Sequence, residues 1–119
     1  MDFSNMRFGD AVWNAYFRKK AKRDHKAQQP HYVYLASDKN GRVKIGITWD
    51  VEKREKQLKH ANPDIEIKNF IEVCNRADAF ELEGELHQLA YKLHINGEWY
   101  AKEATDIFNK KKEQNNARN

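Results

Sequence analysis

Two runs rich in β-branched and aromatic residues, Tyr32-Val33-Tyr34-Leu35-Ala36 and Val43-Lys44-Ile45-Gly46-Ile47, flank Asp38-Lys39-Asn40-Gly41-Arg42. They predict an antiparallel hairpin, and the length of its loop decides which side chains share a face. A two-residue Asn40-Gly41 turn would set Tyr34 opposite Ile47 and turn Lys44 away from the tyrosine. A three-residue loop with Gly41 in the left-handed region instead pairs Asp38 with Arg42 and Ala36 with Lys44, placing Tyr34 diagonally beside Lys44. The second register is the one expected. It gathers Tyr32, Tyr34 and Lys44 on one face and leaves Val33, Leu35, Val43, Ile45 and Ile47 on the other.

Further elements follow the hairpin. Asp50 is placed to cap a helix carrying Val51, Arg54, Glu55 and Leu58 at helical spacing. Ile65, Ile67, Asn69, Ile71 and Val73 alternate with charged residues and predict a third strand. Asn75 with Asp78 resembles a capping arrangement for a long helix to about His94, with a core stripe of Ala79, Leu82, Leu86, Leu89 and Leu93. Gly97-Glu98-Trp99-Tyr100 makes a turn into a short extended piece, and residues 103–112 predict a closing helix. Before the hairpin, residues 8–23 predict an amphipathic helix, and the polar stretch from Asp24 to Pro30 reads as a linker. The expected fold is α+β: a three-stranded antiparallel sheet flanked by helices. Its expected organisation is a basic helix and linker over 1–30, one domain over 31–112 and a frayed tail over 113–119.

At 119 residues the chain is long enough for one domain with an appended helix. Six Phe, five Tyr and three Trp argue against wholesale disorder. Cys74 is the only cysteine, which rules out an intrachain disulfide and fits a reducing compartment. No apolar run approaches the ~20 residues that span a bilayer, and charges interrupt the N-terminus where a signal peptide would be apolar. The expectation is a soluble cytoplasmic protein with no membrane partner. Charge is unevenly spread: residues 1–30 carry seven Lys or Arg against three Asp, while the remainder carries fifteen of each sign. The whole excess of +4 therefore sits in the leading segment, mainly on Arg18, Lys19, Lys20, Lys22, Arg23 and Lys26. A basic arm of this kind suits nucleic acid, because neutralised phosphates release condensed counterions. An ordinary solvated helix face is the alternative.

A few polar residues do not fit their positions. Arg54 lies on the helix face shared with Val51 and Leu58, so it either snorkels past that stripe or points into a cleft. Glu83 and His87 form an i, i+4 pair beside the leucine stripe of the long helix. Other chemistries are poorly supported. One cysteine and the dispersed His25, His31, His60, His87 and His94 do not give closed zinc spacing. Gly46 stands outside any Gly-rich phosphate loop, and the strands argue against a trihelical DNA reader.

In this order, Tyr32-Val33-Tyr34, Val43-Lys44-Ile45-Gly46, Arg54, Glu83-x3-His87 and Gly97-Glu98-Trp99-Tyr100 resemble the GIY-YIG endonuclease superfamily. The likeness is greatest to its phage and bacterial branch, whose second signature reads Lys-Ile-Gly, and it covers about residues 31–100. The resemblance implies the same three-stranded fold and a metal-dependent endonuclease that hydrolyses DNA phosphodiester bonds. By position, Tyr34 corresponds to the tyrosine ending the first signature, Lys44 to the first residue of the second, and Arg54 to the helix arginine. Glu83 corresponds to the glutamate that binds Mg2+ or Mn2+, and His87 and Glu98-Trp99 match features of the branch. Tyr32 stands where the family has its leading glycine, and Lys44 where it has its second tyrosine. The expected catalytic set is thus Tyr34, Lys44, Arg54, His87, Tyr32 and Glu98, with Glu83 on the metal.

A free tyrosine, with a pKa of ~10, is a poor base at neutral pH, and an ammonium such as Lys44 nearby would favour its phenolate. His87 is the rival base. Arg54 would grip the scissile phosphate with its planar fork. The expected partner is DNA, double- or single-stranded. Two alternatives stay open: a weak or inactive DNA-binding module on the same fold, or a small phage protein that binds and inhibits a host protein. The second would use the aromatic helix of Phe8, Trp13, Tyr16 and Phe17, which otherwise packs on the sheet or forms a homodimer. If the chain is phage-encoded, its compartment is the host cytoplasm.

Overall fold

The hairpin takes the register of the three-residue loop. In the computed structural model, which describes residues 25–117, β1 (His31–Ser37) pairs antiparallel with β2 (Val43–Thr48). Ala36 stands opposite Lys44 and Tyr34 opposite Gly46. Gly41 has φ +85°, the left-handed value that its loop position demands. Asp38 closes the loop: its Oδ1 accepts the Asn40 and Arg42 backbone N–H groups at 3.0 and 2.9 Å. Its Oδ2 meets the Arg42 guanidinium at 2.9 and 2.8 Å. Burial works to raise the Asp38 pKa, but the hydrogen bonds and charge of Arg42 outweigh it and hold the carboxyl below its ordinary range.

Asp50 caps α1 (Val51–Ala61), its side chain accepting the Lys53 N–H at 3.0 Å. β3 (Glu66–Val73) pairs antiparallel with the other edge of β1. Asn75 caps α2 (Arg76–Leu89) through the Asp78 N–H at 2.9 Å. This helix stops short of the expected His94. A 3-10 turn over Tyr91–Leu93 follows and returns Leu93 to the core, leaving Leu89 58% exposed. The sheet then has five strands, not three. β4 (His94–Asn96) and β5 (Trp99–Tyr100) form a small hairpin about Gly97, giving the order β3-β1-β2-β5-β4. Strands of three and two residues are too short to leave a periodic signal. α3 (Ala104–Ala117) runs five residues past the expected end at 112, into the stretch expected to fray. Residues 25–28 form a helical turn where a linker was expected. The helix expected over 8–23 lies outside the described residues, as do Arg18, Lys19, Lys20, Lys22 and Arg23.

Both faces of the sheet are covered. Val33, Leu35, Val43, Ile45 and Ile71 pack with α2 and α3 through Ala79, Leu82, Leu86, Ala104 and Phe108. On the opposite face Tyr34, Ala36 and Ile65 form a smaller core with Leu58 of α1, Ile67 and Trp99. β3 serves both cores because it carries a bulge. Leu35 pairs with Asn69 but Ala36 with Ile67, so Lys68 is extra and the strand changes face there. The strict alternation from Ile65 to Val73 predicted a single buried face, and one inserted residue divides it in two. Glu55 of α1 accepts the Ile67 N–H at 2.8 Å, tying the helix to this irregular point.

The Tyr34 ring lies across Gly46. A Cβ added to Gly46 would stand 2.5 Å from the Tyr34 hydroxyl and 2.7 Å from the adjoining ring carbon. The ring is buried in the small core against which Leu58 and Trp99 pack, so it cannot withdraw without disturbing them. Gly46→Ala should therefore destabilise the fold by about 1–3 kcal/mol in urea unfolding. The same change made in a Tyr34→Ala background should cost almost nothing, whereas an equal cost in both backgrounds would show that the clash is not the cause.

Candidate active site

Tyr34 is 3% exposed, and its hydroxyl comes out beside Gly46. β5 pairs with β2 only at Val43 and Lys44, so the edge of β2 beyond Lys44 is open to groups from the flanking elements. Arg54 arrives from α1, one turn before Leu58. It is half-buried, and its Nε is closed off from water with no hydrogen-bond partner. Of the two fates open to an arginine on this face, it turns to the wall of an open groove at the start of α1. Lys44 Nζ reaches Glu98 Oε2, from the β4–β5 turn, at 3.0 Å. Glu83 and His87 come from α2, one helical turn apart. The His87 Nδ1 is hydrogen-bonded to the Tyr100 hydroxyl.

The charges of these groups act on one another. Burial raises the Tyr34 pKa; the Arg54 guanidinium opposes that rise, while the charges of Glu98 and Glu83 add to it. Glu83 is pushed up by its own burial and then by Glu98. His87 is lowered by burial, with Glu98 pulling the other way and His94 reinforcing the drop. Tyr100 is raised by burial and then by Glu83 and Glu98. Each shift has desolvation as its largest cause, as expected of groups half withdrawn from water. The structure thus brings Tyr34, Arg54, Glu83 and Glu98 into one electrostatic neighbourhood, joined by Lys44 and His87 through Glu98.

Two expectations need correction. Lys44 was to be the cation that favours a Tyr34 phenolate. Its ammonium is instead engaged by Glu98, the cation acting on Tyr34 is Arg54, and the phenol's pKa is raised rather than lowered. Tyr32 stands apart from the site. Its hydroxyl donates to Glu72 Oε1 at 3.4 Å, and its ring meets Phe70 edge-on at 5.5 Å, so β3 holds it. Trp99 and Tyr100 belong to the quoted Gly97-Glu98-Trp99-Tyr100 motif but were given no place in the expected site. Tyr100 positions His87, and Trp99 seals the Tyr34 core while the Arg42 guanidinium lies 4.9 Å from its ring centre. Their signal was the alternation of two adjacent aromatics, a single period with nothing to confirm it.

For a metal, the donor set is small. Among the described residues no group of three His, Cys, Asp or Glu side chains could enclose an ion. Glu83 has no salt-bridge partner among them, and Glu98 is near enough to raise its pKa. One or two carboxylates of this kind fit a hard cation that keeps several waters and takes phosphate oxygens for the rest of its shell.

Residues 30–114 match the profile of the T5orf172 domain, from the start of β1 almost to the end of α3. The chain belongs to the T5orf172 family. This is a phage-associated domain related to GIY-YIG-like and HNH-type nuclease families, compatible with nuclease or DNA-binding work. No curated protein and no solved structure matches the chain. Tyr34, Lys44, Arg54, Glu83, His87 and Glu98 lie within the T5orf172 segment, and the basic residues from Arg18 to Lys26 precede it. Among the described residues of this T5orf172 protein no helix is long and apolar enough to cross a membrane.

An unpartnered buried nitrogen is a standing cost to the fold. Arg54→Met, which keeps the length of the stem and removes the polar atoms, should leave stability unchanged or raise it by about 1 kcal/mol. Urea unfolding checks this, and a clear loss would mean that the guanidinium is satisfied in the native state.

Proposed function

We propose that this T5orf172 protein is a metal-dependent endonuclease of GIY-YIG type that hydrolyses DNA phosphodiester bonds in the cleft of Tyr34, Arg54 and Glu83. The observation that carries the reading is Arg54. Folding alone gains nothing from a half-buried guanidinium with an unpaired Nε, whereas a phosphate that enters the cleft would satisfy it and be held as its charge grows. Mg2+ or Mn2+ held by Glu83, with Glu98 beside it, would supply further positive charge at the phosphate and an acidified water.

The remaining roles follow from the pKa directions. Tyr34 stays a neutral phenol at neutral pH and serves as a hydrogen-bonding, orienting group. His87, kept neutral by burial, is the better proton acceptor when its Nδ1–H donates to Tyr100 and leaves Nε2 free. Lys44 holds Glu98 in place. A second reading, a DNA-binding module without catalysis, draws support from the lack of a three-ligand metal cluster among the described residues.

The first test is cleavage of supercoiled plasmid with Mg2+, Mn2+ or EDTA by wild type, Glu83→Ala and Arg54→Ala. Metal-dependent cutting should fall by on the order of 10²-fold or more in both variants, while Glu83→Ala keeps its DNA affinity. Cutting undiminished in Glu83→Ala would remove the metal site, and salt-sensitive binding without cutting by any of the three would favour the second reading.

The pH profile has a defined sign. Activity needs both Glu83 and His87 deprotonated, so it should be flat above about pH 6.5 and fall on acidification below that. Glu83 is raised and His87 lowered, which draws the two losses together between their ordinary values of 4.5 and 6.5. Tyr34→Phe should leave this acid limb where it is, and a limb that moves with that variant would return the proton to Tyr34.

A further inference from the structure

Arg54 also lines an open groove of about 380 Å³ where the end of β2, the start of α1 and the start of α2 converge. Lys26, Lys53, Arg54 and Arg76 surround it against a single carboxylate, Asp50, which is engaged in capping α1. None of these four cations makes a salt bridge among the described residues. Trp49 belongs to the same groove and is 43% exposed. Its backbone is fixed: the Thr48 hydroxyl donates to the Asp50 carbonyl at 3.0 Å and accepts the Asp50 N–H at 3.1 Å, bridging over Trp49. The Lys26 ammonium lies 5.0 Å from the centre of the indole.

We propose that this groove holds an unpaired nucleotide of the substrate strand beside the cleavage site. The base stacks on Trp49, and the flanking phosphates are neutralised by Lys53 and Arg76. Single-stranded DNA, or a single-stranded stretch at the border of a duplex, is then the substrate class. A protein reading intact duplex uses cations for phosphates and side chains for groove edges, and has no use for an aromatic plane because the base faces are hidden. A single strand offers both a charged backbone and open base faces, and a basic groove with an exposed indole on a fixed backbone answers both. The inference rests on the nuclease reading for what Arg54 grips, but its test reads binding alone.

The test uses the full chain in EDTA, with fluorescein-labelled oligodeoxythymidylate of about 12 nucleotides, a duplex of the same length and an abasic oligomer that keeps the phosphates but lacks bases. Trp49→Ala should weaken single-strand binding about tenfold and duplex binding by less than about twofold, while Trp49→Phe keeps most of the affinity. Wild type should bind the abasic oligomer about as weakly as Trp49→Ala binds the thymidylate, and Trp49→Ala should no longer distinguish the two. Lys53→Gln with Arg76→Gln should reduce the salt slope on the single strand by about 1.4. Equal losses on single strand and duplex, or a Trp49→Ala protein that still prefers bases to abasic sites, would overturn the proposal. Cleavage that fails while Trp49-dependent binding persists counts against the nuclease reading and leaves this one standing.

Discussion

Tyr34 can lie across its cross-strand neighbour only because that neighbour has no side chain. With a hydrogen at position 46, the phenol ring crosses β2 and its hydroxyl reaches the open side of that strand, where β5 has already stopped pairing. A residue of any other kind at position 46 would push the ring back toward α1, into space already taken by Leu58 and Trp99. Arg54 stands beside this ring and Glu83 within its field. The arrangement of the site therefore depends on a contact in which one partner is a missing atom group.

Charge around that contact is arranged in a definite order. Lys44 and Glu98 neutralise each other, and Arg42 is spent on the Asp38 loop and the Trp99 ring. That leaves Arg54 without a fixed anion and Glu83 without a fixed cation among the described residues. In the proposed reaction the first would meet a phosphate and the second a metal ion, and burial has already raised the pKa of the Glu83 carboxyl.

What could be read from the sequence followed from local chemistry. The hairpin register was legible because Gly41 and Asp38 dictate a loop length, and the starts of α1 and α2 because Asp50 and Asn75 are capping residues with little competing use. The positions of Arg54, Glu83 and His87 were legible through helical spacing. What escaped was decided by contacts distant in sequence. Nothing in Lys44 announces that its partner is Glu98 rather than Tyr34, since that pairing depends on a seven-residue hairpin, His94 to Tyr100, too short to leave a pattern. The division of β3 depends on one extra residue that leaves the alternation of apolar and polar residues intact. The groove of Trp49, Lys53 and Arg76 is assembled from three elements, each of which looks like ordinary surface when read alone.

The bulge at Lys68 has a consequence for how the molecule holds together over time. A sheet with a layer on each side could in principle lose one layer and keep the other, breathing on the side of Tyr34 while its scaffold stays shut. Here β3 gives Ile71 and Val73 to one layer and Ile67 to the other, and Glu55 pins α1 to the crossover. Peeling away α1 exposes one end of a strand whose other end anchors α2 and α3. The two layers therefore open and close as one cooperative unit, and a deletion that straightened β3 would exchange the inside and outside of half a strand at a stroke. The residue count of β3, like the length of the loop between β1 and β2, is fixed by what it places on each face of the sheet.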